Sequence, residues 1–372
     1  MISHGTHYFA IGVLLAASAA ADCLSGSTVV VDSQTALAAA LADCTTFGRK
    51  IEIDSSFSGA ASFAGVTNLS AAISTNLSVP GLTEILLPDV VQGYNFIAGS
   101  TPRLRNFSAP RMTDFLALRL DTEEALTVDI PLITAIDSID VGGKTLYLNF
   151  PMLENITGML SLDNEVSSAE PFAVDFPLLR TATEIVITGT VSNIYLPRLK
   201  SAYSATQIGN SGDAIALDLP RLSEVTGGLA IGGNFSSISL PSLVETNATI
   251  SISASSPLSL NFTSLVKANT IEITGNVTDV YFPQLTSANR IYISSSLDVN
   301  CTGYDQAAAQ SSLNTSDGSS GCYGSSTTVA TPAAGHSGLA EIAKIGVGVG
   351  VGLGGFIILA AVAYFFCLRG RK

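Results

Sequence analysis

The chain has no tryptophan, and its only histidines are His4, His7 and His336. All of them fall outside residues 22–323, where a folded domain is expected. A stretch without histidine lacks the usual general base, the partner that activates a serine or cysteine nucleophile, and the commonest metal ligand. Within residues 22–323 no phosphate-binding or dinucleotide-binding glycine motif occurs, so no cofactor is expected. Paired carboxylates are the one catalytic route left, as in glycoside hydrolysis. Charge is also scarce, at 13% of residues, and 17 Lys plus Arg stand against 30 Asp plus Glu. A net charge of -13 repels phosphate backbones, which argues against nucleic acid as a partner. Between Cys44 and Cys301 there is no cysteine, so the interior is not stapled by disulfides.

What the chain has instead is apolar content, 47% of it, enough for a large core. Two terminal runs stand apart from that core. Phe9 to Ala21 is apolar and ends in Ala19-Ala20-Ala21, a small-residue cleavage site, so residues 1–21 read as a signal peptide and the mature chain as starting at Asp22. Ile345 to Leu368 carries no charge and would be about 36 Å long as a helix, enough to span a bilayer with some tilt. Arg369-Gly370-Arg371-Lys372 follows as a basic tail, which places the tail in the cytosol and the bulk of the chain outside. A GPI signal is the competing reading; the three positive charges after the run favour a retained span. Gly346, Gly350 and Gly354 form a small-residue face suited to a helix-mediated dimer, and Cys367 at the membrane edge is a candidate for palmitoylation.

The remaining four cysteines are Cys23, Cys44, Cys301 and Cys322. In a secreted chain they read as disulfides, and the simplest connectivity is Cys23 to Cys44 and Cys301 to Cys322. N-glycosylation sequons stand at Asn68, Asn76, Asn106, Asn155, Asn234, Asn247, Asn261, Asn276, Asn300 and Asn314. From Ser311 to Gly338 the chain is rich in Ser, Thr, Gly and Ala, which points to a stalk.

The organising feature is a tetrad of apolar, Pro, any residue, apolar. It recurs at Pro88, Pro110, Pro131, Pro151, Pro177, Pro197, Pro220, Pro241 and Pro283, with Thr263 filling the one gap, at spacings of 20 to 26 residues. A fixed anchor at that period is a solenoid signature. Before each anchor apolar and polar residues alternate, as in Leu146, Leu148 and Phe150 or Ile215, Leu217 and Leu219. About eight residues after it comes a second alternating pair, such as Ile185 and Ile187 or Ile271 and Ile273. Between them lies one small or aliphatic residue, for example Ala182, Ala202 or Val225, and Gly, Asn and Ser mark the corners. Strands this short, with no hairpin turns between them, pair with their equivalents one repeat on. The expected fold is all-β, a parallel β-solenoid of about eleven coils. A leucine-rich-repeat horseshoe is the alternative, with repeats of similar length but more Leu and a recurring Asn that is missing here. Solenoid ends need caps, and residues 33–41 and 304–313 read as short helices inside the two cysteine loops.

The residue two positions before each anchor matters as well. Asp129, Asn149, Asp175, Tyr195, Asp218 and Tyr281 share one register and would form an outward ladder, a candidate strip for a glycan or protein ligand. The whole set of features resembles the receptor L-domain-like proteins of fungal cell walls, the GPI-linked cell-wall organisation and sporulation-specific family. The likeness rests on the Cys-helix-Cys start, Lys50-Ile51-Glu52-Ile53, the Pro-x-Leu coils and Asn300-Cys301, and covers residues 22–323. It implies a right-handed solenoid and a non-enzymatic surface protein needed for wall integrity, with wall polysaccharide or wall proteins as partners. Seven segments result: signal peptide 1–21, N-terminal cap and first coil 22–61, repeats 62–300, C-terminal cap 301–323, stalk 324–344, span 345–368 and tail 369–372.

Overall fold

In the computed structural model, residues 23–75, 78–164, 170–310, 313 and 320–325 are described. The signal peptide, most of the stalk, the expected span and tail, Cys367, and the sequons Asn76 and Asn314 lie outside the described residues. Met1–Thr327 forms one compact unit and Thr328–Lys372 is assigned to a second. Among the described residues no helix is long and apolar enough to cross a membrane.

The proline tetrads are chain reversals. In seven of the nine, those at Pro110, Pro151, Pro177, Pro197, Pro220, Pro241 and Pro283, the amide of the last apolar residue donates to the carbonyl of the first, as from Leu153 to Phe150 at 3.2 Å and from Leu222 to Leu219 at 3.2 Å. That is a β-turn with proline in its second place, where a fixed φ suits the turn and no N–H is needed. Both apolar residues point inward: Phe150, Leu153, Phe176, Leu179, Leu219 and Leu222 are all buried. The same turn occurs without proline at Phe63 to Val66 (3.4 Å) and at Leu41 to Cys44 (3.0 Å), so the repeat begins before the first proline anchor. The result is a parallel β-solenoid of about twelve turns, rather than the eleven expected.

Most coils carry three strand segments, and every ladder among the described residues is parallel. The pre-proline face includes Ser58–Ser62, Asn106–Ser108, Phe172–Asp175 and Val191–Tyr195. A second face is built on the isoleucine pairs and starts at Val29–Val31 and Ile51–Ile53. One outward column of this isoleucine face runs unbroken through Val30, Glu52, Ser74, Ile97, Arg119, Asp140, Ser161, Val186, Gln207, Ala230, Ser251, Glu272 and Tyr292. The third face is short and is where the sequence shows only a small residue. Ala182, Ala202 and Val225 pair in register there, as do Ala268 and Ala288. Strands on three sides set this architecture apart from the horseshoe, which has strands on one.

Inside the tube identical residue types stack on one another. Phe262 lies over Phe282 with ring centroids 5.2 Å apart and Phe150 over Phe176 at 5.8 Å, each pair near-parallel. Such contacts add about 1 kcal/mol each to simple burial.

A further regularity sits at the corner joining the isoleucine and pre-proline faces. In register from coil to coil stand Thr122 and Gly143, Asn164 and Gly189, Asn210 and Gly233, then Ala254, Gly275 and Ser295. The glycines all have positive φ, from 89° to 104°. The residues between them, Ala254 excepted, bond to the turning backbone through their side chains. Asn210 Oδ1 accepts from the amides of Val191 (3.3 Å) and Gly212 (3.0 Å), and its Nδ2 donates to the carbonyls of Asp213 (2.7 Å) and Asn234 (2.8 Å). Ser295 and Thr122 do the same with hydroxyls, Ser295 Oγ donating to Val277 O at 2.6 Å and Thr122 Oγ1 to Leu104 O at 2.8 Å. Glycine coils thus alternate with coils whose polar side chains, except at Ala254, satisfy backbone groups that a corner would otherwise leave unpaired.

Both disulfides form as paired above, Cys23–Cys44 and Cys301–Cys322, each with Cα atoms 5.9 Å apart. Helix α1, Gln34–Leu41, is capped by Ser33, whose Oγ accepts from the Ala36 amide at 3.2 Å, and it buries Leu37 and Leu41 over the first coil. Its Gln34 amide behaves like a strand neighbour: Oε1 accepts from Ser62 N at 2.8 Å and Nε2 donates to Ser62 O at 3.1 Å. That pairing covers an open edge that would invite another chain. Helix α2, Thr302–Gln310, starts and ends earlier than the expected 304–313. Asn300 Oδ1 caps it, accepting from Thr302 N at 3.1 Å and Thr302 Oγ1 at 2.8 Å. Burial, then Tyr323 and Asp305 nearby, push the Tyr304 phenol above its ordinary value. The low-complexity stretch from Ser311 is not stalk throughout, because Gly321–Tyr323 pairs with Tyr292 to Ser294 as a further rung.

The two kinds of glycine separate in a substitution test. Gly233→Ala, at φ 104°, places its Cβ against the carbonyl oxygen of Asn210, and unfolding in urea should show a loss of about 3 kcal/mol or more. Gly65→Ala, at φ 83° but with no atom within 4 Å of the new carbon, should lose only about 1 kcal/mol.

Candidate functional site

The polar residues singled out before the prolines do form one column. On the pre-proline face Leu86, Ser108, Asp129 and Asn149 stand in register, and so do Asp175, Tyr195, Asp218 and Ser239. Asn261 pairs with Tyr281 further along, one residue beyond the paired Ile238 and Leu260. The two halves meet where Ser138–Asn149 and Phe172–Asp175 pack side by side. All six expected strip residues therefore lie along one line, spaced by about 4.8 Å per coil.

Their orientation follows from the strand period. In Val191–Tyr195 the burial alternates so that Ile194 points into the tube and Tyr195 out, 49% exposed. Tyr281 is 45% exposed by the same logic, and Asp175 and Asp218 flank Tyr195 on its two sides. Neither of these carboxylates has a hydrogen-bond or ion-pair partner among the described residues. Asp129 differs, since its Oδ1 accepts from Asn149 Nδ2 at 2.6 Å.

A second column two residues earlier widens the strip. It contains Asn106, Thr127 and Tyr147, then Asn193, and then Ser259, Asp279 and Asn300. Tyr147 is 54% exposed and its hydroxyl donates to Asn149 Oδ1 at 3.4 Å. Tyr147 and Asp279 were not singled out in the sequence, although their place two residues before Asn149 and Tyr281 was a usable signal. Neither column holds a lysine or arginine, so the face combines three tyrosines, amides, hydroxyls and carboxylates.

The chain matches no protein-family model, no curated protein and no solved structure. What the site can do is therefore argued from its own chemistry. Planar rings beside hydrogen-bonding groups at a fixed repeat suit a linear ligand lying along the solenoid axis. For hydrolysis two carboxylates must face one bond about 5 to 9.5 Å apart. In the main column no two carboxylates occupy adjacent coils: Asn149 separates Asp129 from Asp175, and Tyr195 separates Asp175 from Asp218. Among the described residues no group of three or more His, Cys, Asp or Glu is placed to hold a metal ion. A hollow of about 330 Å³ beside α1, lined by Gln34, Leu41, Asp43 and Ala64 among others, includes none of the strip.

The described sequons sort by face. Asn106, Asn261 and Asn300 lie on the pre-proline face, Asn68 and Asn155 on the short face. Asn234 and Asn276 each follow a corner glycine, Gly233 and Gly275, and Asn247 lies between the short and isoleucine faces. Glycans at Asn106 and Asn261 would frame the strip and leave Asp129 to Asp218 open.

The carboxylates should differ in what they contribute to folding. Asp175→Ala and Asp218→Ala should shift unfolding free energy by no more than about 0.5 kcal/mol. Asp129→Ala leaves the Asn149 amide without its partner and should cost about 1 kcal/mol, measured in the same denaturant titration.

Proposed function

We propose that this chain is a non-enzymatic cell-surface glycoprotein that contributes to the organisation and integrity of a cell wall. The observation that carries this reading is the outward ladder of Asp, Asn and Tyr on a long, disulfide-capped β-solenoid, which offers an extended recognition surface. Two disulfides support an oxidising compartment, and the sequons, the N-terminal apolar run and the C-terminal run 345–368 support a secreted, membrane-held chain. The resemblance to fungal receptor L-domain-like wall proteins agrees with this and would make the solenoid right-handed. In this reading the ectodomain stands outside the plasma membrane on its stalk, and the basic tail faces the cytosol.

Cells lacking the protein should become measurably more sensitive to wall-perturbing dyes. Unchanged growth under that stress would count against a wall role. Phospholipase treatment of intact cells should leave the protein in place if 345–368 spans the membrane, and release it if the anchor is a lipid.

A second reading, an adhesive or receptor-like ectodomain that binds a glycan or a protein, is favoured specifically by exposed Tyr195 and Tyr281 in the column. If it holds, Tyr195→Ala with Tyr281→Ala should lower glycan-array or cell-binding signal by about tenfold while the thermal transition stays put. Equal binding by the variant would set this reading aside.

A further inference from the structure

The three faces are not equally open. Every described sequon lies on the pre-proline face, the short face or a corner, and none lies on an outward column of the isoleucine face. If the chain is the secreted glycoprotein proposed above, this is the one side of the tube that N-glycans at the described sequons leave bare. It is an unpartnered sheet face, and its charges decide what fits it.

Four charges stand on its outward column: Glu52 and the pair Arg119 and Asp140 toward the N-terminal end, and Glu272 toward the C-terminal end. The five coils between Asp140 and Glu272 carry no charge on this column, and Val186 and Gln207 are the middle pair of the eight coils from Arg119 to Glu272. Arg119 already bonds Asp140 at 3.2 Å but remains about half exposed. Now lay a second copy on this face with its axis reversed, the two-fold passing between the Val186 and Gln207 rungs. Val186 then meets Gln207 of the other copy, Asp140 meets Ser251, and Arg119 meets Glu272, the last contact occurring twice. In the neighbouring column Asp121 falls opposite Thr274 and Asp163 opposite Gly232, so no carboxylate faces another. The same two copies set parallel would stack Arg119 on Arg119 and Glu272 on Glu272. Docking through the pre-proline face would set Asp129, Asp175, Asp218 and Asp279 against an identical set with no cation present.

We infer that the isoleucine face is a self-association surface, on which two copies of this chain pack antiparallel through the coils from Arg119 to Glu272. Eight coils at about 4.8 Å by six residues at about 3.3 Å give roughly 750 Å² per copy, the size of a standard interface. Small side chains at Ala230 and Gly232 let the sheets approach closely. For a chain of net charge -13, a face that pairs unlike charges and buries mostly neutral residues is where two copies can meet with least repulsion.

The test uses the full-length glycosylated chain in detergent, with mass measured by light scattering across a dilution series. The wild type should show a monomer–dimer equilibrium with a Kd on the order of micromolar. Arg119→Glu and Glu272→Arg should each weaken it about tenfold, and the two together should restore it to within about threefold. Gln207→Asn with Gly209→Thr adds a sequon at the centre of the face. Gly209 has ordinary φ and its nearest neighbours are 3.7 Å or more from a new Cβ, so the fold tolerates the change. This variant should be monomeric with an unchanged melting transition. A wild type that stays monomeric at about a hundred times the expected Kd overturns the inference. So does a dimer indifferent to the charge reversals and to the added glycan, which would place the contact elsewhere. Glycosidase treatment and a gel shift separately report whether the chain carries N-glycans; without them the glycoprotein reading falls while the charge-reversal results still decide the interface.

Discussion

Among the described residues no strand has a partner within its own coil. Each is hydrogen-bonded to its equivalent about twenty-one residues away, so what holds the structure together is registry between neighbouring coils. That one requirement explains most of the rest. Registry forces identical positions to stack, which puts phenylalanine on phenylalanine and isoleucine on isoleucine inside the tube. It also lines up the outward residues into columns, so any binding surface here is a ladder. And it leaves the first and last coils with no neighbour, which is where the two disulfides and both helices are found.

The corners show how the chain reconciles registry with turning. A strand that must bend by a wide angle leaves amides and carbonyls pointing at nothing. At one corner, coils with glycine in positive φ alternate with coils in which Asn164, Asn210, Ser295 or Thr122 reaches into the space beside them, with Ala254 the one apolar exception. The glycine makes room because it has no Cβ, and its neighbour uses that room to bond the backbone. The repeat is therefore two coils long at this corner, although it is one coil long everywhere else. Function meets the same constraint: the strip, the sequons and the isoleucine face are separated because each belongs to a different register position of the same coil.

Much of this could be read from the residues. The proline anchors, the alternating apolar pairs and the cysteine spacing fixed the β-solenoid, its period and its two caps, because each is a local pattern with a local cause. A proline in the second place of a turn and a buried residue every second position need no long-range information. The candidate column was legible for the same reason, since Asp129, Asn149, Tyr195 and their counterparts were found simply by counting back from each proline. Where local signals thinned, the reading fell short. The coils before Pro88 have turns at Phe63 to Val66 and Leu41 to Cys44 with no proline to mark them. The third face shows only one inward residue per coil, too short a run for a strand period to appear.

The sequence by itself determined the repeat, the inward and outward alternation and the places that need caps, since these follow from side-chain size, polarity and the fixed φ of proline. Only the tertiary structure decided which outward residues become neighbours. Residues as distant as Arg119 and Asp140 touch because inter-coil hydrogen bonds set one register, and a coil length that varies between 20 and 26 residues hides that register from any count along the chain. The third ladder, the alternating corner and the face free of described sequons all exist only once the coils are stacked.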